Sequence, residues 1–196
     1  MIDAPAYISM NIIEESPKAY IDGAYEFEEI VTKMRELSLG SCWITLSNCS
    51  EELLQETFNN EKGVVKYLLG LGHPTRDLNF GNPSYTPKIG VEDYVFKNLD
   101  KEAYTIDELE SLGLADLFYY LRLAPSSKDK QAWRFVIDEG EIKLYIENLT
   151  NIDDYVDTGI VLYYFDGLAS ASGLRMTWDI DVKDEGDFVY IGKTHI

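Results

Sequence analysis

The sequence predicts an α+β fold, and three observations point to it. β-prone apolar stretches alternate along the chain with stretches of helical period. Hydrophobic residues make up 45% of the 196 residues and aromatic residues 13%, enough to bury a sizeable core. One segment, GIVLYYF at 159–165, is apolar on every side, so a helix there must be buried all round.

Residues 5–13, PAYISMNII, read as a strand. Asp22 is expected to cap a helix whose apolar positions are Tyr25, Phe27, Ile30, Val31, Met34 and Leu37, with Glu28, Glu29, Lys33 and Arg35 covering much of the rest. Gly40 is expected to stop it near the left-handed conformation that glycine tolerates. CWITL at 42–46 predicts another strand. Ser50 caps a short helix with Glu51 and Glu52 in its first turn, where acids suit the helix dipole. VVKYLLGL at 64–71 reads as a buried strand. Residues 72–90 hold Pro74, Pro83 and Pro87 with Gly72, Gly81 and Gly90, which predicts a long irregular crossing of a kind often tied to function.

Asp107 is expected to cap the next helix, which carries Leu109, Leu112, Leu117, Tyr120 and Leu121 and runs into Pro125. Residues 134–137 and 142–146 predict short strands joined by a turn at Glu139-Gly140. Asp157 is expected to begin the apolar helix, and 176–182 and 188–191 to close the chain as strands.

Two segments align without a gap. Asp22 matches Asp157, a spacing of 135 positions (157 less 22), and Leu39 with Leu174 and Trp43 with Trp178 keep it. Ala24 opposite Gly159 keeps a small residue in the first turn. The pattern predicts an internal duplication. A second copy starting near residue 97 puts the start of the first before Met1, so the sequence reads as one and a half repeats.

Charge narrows the functions. Seventeen Lys and Arg against 35 Asp and Glu leave −18, with 2 histidines. That field repels nucleic acid and anionic lipid surfaces, and any phosphate-bearing ligand needs a local knot of cations. No apolar run approaches the roughly 18 residues of a membrane span. The N-terminus lacks the basic start and long apolar stretch of a signal peptide. Cys42 and Cys49 form no CxxC pair and read as reduced cytosolic thiols, which predicts a cytoplasmic protein. His73 and His195 sit in no ligand-spaced cluster, so no metal is expected.

Three segments could carry chemistry. In LAPSSKDKQAWRFV (123–136), Ser126, Ser127, Asp129 and Gln131 cluster hydrogen-bonding groups on the turn before a strand, which suits a flat heteroaromatic ligand. Lys128, Lys130 and Arg134 add local positive charge. In LSLGSCWI (37–44), glycine beside serine lets a backbone N–H approach a ligand closely. In the 72–90 crossing, Arg76 and Lys88 could meet a phosphate.

At these residues the sequence resembles the nitroreductase superfamily of FMN-dependent oxidoreductases, above all the branch with two units fused in one chain. PSSKDKQAW is similar to the family's P-S-x-x-N-x-Q-P-W motif and LSLGSCWI to its G-L-G-S-C-W turn. GHP at 72–74 resembles a glycine–aromatic–proline after a strand, and KIGVEDYVF at 88–96 the basic segment ending a unit. The resemblance implies a nitroreductase-like α+β fold with an antiparallel-rich sheet and long central helices. It implies one nitroreductase-like domain over 1–196, with 1–96 the back part of a first unit and 97–196 a second. It implies FMN as cofactor, lying where a subunit's P-S-x-x-N-x-Q turn faces the glycine turn of another. Pro125, Ser126, Ser127, Asp129 and Gln131 would then meet Leu39, Gly40 and Ser41, with Arg76 and Lys88 for the phosphate.

The flavin carries the chemistry, so no catalytic residue is assigned. NAD(P)H is the implied co-substrate, and a nitroaromatic or quinone-like acceptor follows it in ping-pong order. The sequence has no GxGxxG, so nicotinamide visits the flavin face instead of a Rossmann site. The implied assembly is a monomeric pseudo-dimer or a homodimer. The sequence departs from the family at four places. Asp129 stands for Asn and Ala132 for Pro, and Arg175 and Met176 stand at the second copy's counterparts of Gly40 and Ser41. No R-R-S-x-R segment matches. These departures raise an alternative, a degenerate homologue that binds flavin or a partner without turnover.

Overall fold

The computed structural model describes residues 4–58, 62–74 and 87–196. The chain divides into two units, Met1–Ser84 and Tyr85–Ile196.

In the first unit, β1 (Ala6–Ile12) leads into α1 (Pro17–Glu36), then β2 (Gly40–Thr45), α2 (Glu51–Phe58) and β3 (Val64–Gly72). The sheet is antiparallel in the order β1-β3-β2, with a bulge between Met10 and Asn11. α1 buries Tyr20, Ile21, Ala24, Phe27 and Val31. A side chain on Gly23 would meet Met10 Sδ at 3.0 Å and Ile12 Cδ1 at 3.2 Å, so helix and β1 approach closely there.

The start of α1 differs from the sequence expectation. Ser16 is its cap, accepting from the Ala19 amide at 3.2 Å, and Pro17 supplies the fixed φ of the first turn. Asp22 lies inside the helix and pairs with Lys18 at 2.6 Å. Glu28, expected on the wet face, is 1% exposed because its carboxylate accepts the Trp43 indole N–H at 3.0 Å. Helix α1 stops through Ser38, at φ 59°, not through Gly40, which opens β2. Ser50 caps α2 as expected, accepting from the Leu53 amide at 3.3 Å.

The second unit holds β4 (Val95–Phe96), α3 (Ile106–Ser111), α4 (Ala115–Leu121), β5 (Trp133–Asp138), β6 (Glu141–Glu147), α5 (Asp153–Ala171), β7 (Asp179–Glu185) and β8 (Phe188–His195). Its sheet runs β4-β5-β6-β8-β7, antiparallel except for β4 beside β5. Glu139 at φ 49° and Gly140 at φ 78° form the two-residue turn of the expected β5–β6 hairpin, both left-handed as that turn type requires.

The expected single helix after residue 107 is two. Gly113, at φ 72°, ends α3, and the Leu114 amide closes the turn on the Leu109 carbonyl at 2.9 Å. Thr105, not Asp107, caps α3 in a reciprocal capping box with Glu108. Asp157 likewise falls inside α5, which begins at Asp153. Residues 156–162 of α5 are buried, while Tyr163 and Tyr164 are half-buried. The core here is aromatic: Phe135 stacks on Phe165 at 5.8 Å, and Phe118, Tyr94 and Trp178 close edge-on around them.

The two units share an order of elements. In the first, β1, α1, β2, α2 and β3 follow in order and the strands pair as β1-β3-β2; in the second, β6, α5, β7 and β8 follow in order, without a counterpart of α2, and the strands pair as β6-β8-β7 within the larger sheet. The helix ends match in detail. The Leu39 amide bonds the Met34 carbonyl at 2.9 Å past left-handed Ser38, and the Leu174 amide bonds the Ala169 carbonyl at 2.9 Å past left-handed Gly173.

Candidate functional site

The corner between α4 and β5 is built by its own side chains. Lys128, Asp129 and Gln131 hold φ of 52°, 57° and 46°, three left-handed non-glycine residues within four positions, which the chain does not adopt unaided. Gln131, 3% exposed, ties the corner on three sides. Its amide nitrogen donates to the Arg122 carbonyl at 2.7 Å, its amide oxygen accepts from the Ile89 N–H at 3.0 Å, and its backbone N–H donates to Ser126 Oγ at 3.1 Å.

The cations are mostly held by carboxylates. Lys88 pairs with Asp129 and also donates to the Ala124 carbonyl at 3.5 Å. Lys130 donates to both oxygens of Asp154 at 2.7 Å and to Thr150 Oγ1 at 2.9 Å. Arg134 donates to Glu147 at 2.8 Å and to the Gln131 carbonyl at 2.8 Å. Lys128 and Arg122 have no carboxylate partner among the described residues. Arg122 instead lies over the Tyr119 ring, 4.7 Å from its centroid.

Helix α5 supplies two buried carboxylates to the same corner, and they titrate in opposite directions. Burial alone would raise Asp154, but Lys130 and the amide and hydroxyl of Thr150 hold it below the ordinary carboxylate value. Asp157 accepts the Ser127 N–H with both oxygens, at 2.9 and 3.0 Å. Burial pushes it up to about 7, against the pull of that single amide, and the charges of Asp154 and Asp153 add to the rise.

Of the sequence-predicted residues, Pro125, Ser126, Ser127, Asp129, Gln131 and Lys88 all belong to this one corner. Pro125 is exposed, while Ser126, Ser127 and Asp129 are half-buried. Leu39, Gly40 and Ser41 are half-buried at the start of β2 in the first unit. There Gly40 pairs with Gly72, and a Cβ on it would lie 3.7 Å from Pro74, so the glycine turn and the GHP motif form one corner of that unit. Arg76 lies outside the described residues. Sequence reasoning missed Asp157 and Asp154 as partners of the turn. The available signal was Asp154 and Asp157, one helical turn apart ahead of the apolar stretch of the helix.

FMN needs donors and acceptors in the plane of its ring and cations near its phosphate. The corner fits the first need, since the Ser127 hydroxyl has no partner among the described residues and Ser126 Oγ–H is free to donate. Among the described residues it meets the second through Lys128 and Arg122, because Asp129 takes Lys88.

No group of three His, Cys, Asp or Glu among the described residues could hold a metal ion, and no described helix is long and apolar enough to cross a membrane. No curated protein matches this sequence. The fold is similar to the crystal structure of a putative nitroreductase from Thermotoga maritima MSB8, with a TM-score of 0.62 and 20% identity over 95% of this chain and 70% of that one. That likeness supports the nitroreductase-like α+β fold. The family model described as "Putative TM nitroreductase" matches residues 1–169, which include both corners and most of α5. The chain therefore belongs to the putative TM nitroreductase family.

Proposed function

We propose that this protein is an FMN-dependent NAD(P)H oxidoreductase of nitroreductase type. The observation that carries the reading is the α4–β5 corner, a family motif held by part-buried hydrogen bonds of Gln131 while its serine hydroxyls stay available. Pro125, Ser126 and Ser127 of the second unit and Leu39, Gly40 and Ser41 of the first are the proposed flavin-binding residues. Gln131 and Asp129 act differently: Gln131 shapes the corner, and Asp129 takes the ammonium of Lys88 where the family has an amide. When bound, FMN supplies the hydride chemistry. The protein supplies orientation and donors, and Lys128 and Arg122 supply positive charge in an acidic molecule. NAD(P)H and then a nitroaromatic or quinone-like acceptor visit in turn.

The same reading takes the two units as copies of one ancestral element set. The shared strand order and the matched helix ends support it. A cytoplasmic location goes with it.

The test is direct. Purified protein titrated with FMN should quench flavin fluorescence and saturate at one FMN per chain. With FMN it should oxidise NADPH using menadione or nitrofurazone as acceptor. Protein that neither binds FMN nor turns over removes the proposal. The capture of Lys88 by Asp129 favours one other reading, a homologue that binds flavin without turnover. Saturable FMN binding with no NADPH or NADH oxidation would select it.

A further inference from the structure

The ligand corner is held from α5, and the way it is held has a chemical consequence. Asp154 neutralises a lysine, as a buried carboxylate ordinarily must. Asp157, also 3% exposed, meets no cation at ion-pair distance among the described residues, and its hydrogen-bond partner is one backbone N–H. A buried carboxylate left without a counter-ion is costly, and the amide it grips belongs to a residue of the proposed flavin turn.

We propose that Asp157 is the positioning residue of the 125–131 corner, a latch whose charged carboxylate clamps the Ser127 amide and whose protonated form releases it. An ionised carboxylate is the stronger acceptor, and both of its oxygens engage the same N–H. Protonation weakens the acceptor and adds an O–H that needs a partner of its own. The surroundings bring this change into the physiological range, since burial lifts Asp157 to about 7. The charges that face it are Asp153 and Asp154 on its own helix and Lys130 from the corner. Helix α4, also packed on α5, turns buried Leu117, Phe118 and Leu121 inward and leaves Asp116 exposed. On β5, which meets α5 through Phe135 and Phe165, the cation Arg134 is held by Glu147.

The latch stands on the geometry of this chain, and it rests on the flavin reading only for the ligand's identity. Two readouts keep the two apart. In the ¹⁵N-labelled full chain without ligand, the Ser127 amide resonance should titrate with a midpoint near 7. In Asp157→Asn it should be flat over the same range while amides of β8 keep their wild-type shifts. A Ser127 amide that does not titrate in the wild type, or that titrates equally in Asp157→Asn, overturns the latch. With FMN as probe, the affinity ratio between pH 8 and pH 6 should be about threefold larger in the wild type than in Asp157→Asn. That comparison cancels the titration of the FMN phosphate, and equal ratios also overturn the latch. If FMN binds neither protein while the Ser127 titration is present, the function falls and the latch stands.

Discussion

The side-chain amide of Gln131 serves two backbone groups, the Arg122 carbonyl and the Ile89 N–H, from a position 3% exposed. Replacing it leaves both without a partner. Gln131→Ala should therefore destabilise the flavin-free protein by about 2 kcal/mol in urea unfolding. An unchanged midpoint would mean that the amide serves a ligand alone. Ser127→Ala should leave stability nearly unchanged, since the hydroxyl has no partner among the described residues, and should weaken FMN by about tenfold if it meets the ring. Asp157 pulls against stability. Its carboxyl keeps a proton up to about pH 7 in the folded chain but loses it near 3.8 once unfolded, so the folded state binds more protons between those values. Stability from this group then falls as pH rises from 3.8 to about 7 and is flat above. Asp157→Asn should gain roughly 2–4 kcal/mol at pH 8 and little at pH 4. Thermal melts at the two pH values read the difference directly.

Helix α1 ends through a serine where α5 ends through a glycine, each left-handed at the same point of the turn. Serine carries a Cβ penalty there that glycine does not, so Ser38→Gly should stabilise by about 1 kcal/mol and raise the melting temperature. A lower melting temperature would show that the Ser38 side chain does something the turn needs. These elements also show what a sequence tells and what it withholds. Strands and the Glu139-Gly140 turn were legible because alternation and left-handed turn residues are local signals. Helix starts are less so: Asp22, Asp107 and Asp157 are acids at the edge of an apolar period and yet lie inside their helices. The caps of α1 and α3 are Ser16 before Pro17 and the Thr105–Glu108 box, both local signals. Glu28 could not be placed, because the indole that buries it is 15 positions away on another element. The ligand corner divides the same way. Its motif was readable, whereas its wiring spans 41 positions from Lys88 to Asp129 and 30 from Ser127 to Asp157, which only the fold brings together.

Over the whole chain the charge is −18, and many of the lysines that oppose it are committed to particular carboxylates. The remaining acids repel one another across the surface. Adding ~0.3 M NaCl should raise the thermal midpoint, since screening relieves long-range repulsion more than it weakens close, part-buried pairs. A falling midpoint would mean that the ion pairs dominate. Acid should act in the opposite sense to the Asp157 effect for Asp154 and Glu147. Their cation partners hold both below the ordinary value, so the stability they give is present above the unfolded carboxylate range and lost as pH falls through their folded values.

The three left-handed residues of the 128–131 turn tie these scales together. The turn that holds them is tied to residues before and after it in the chain, Gln131 to Arg122 and Ile89 and Ser127 to Asp157 on α5. A fragment ending short of residue 157 would keep every letter of the P-S-x-x-x-x-Q signature and lose the shape that gives those letters meaning. Motif searches on truncated reading frames of this family will therefore find the signature in chains that cannot form the corner.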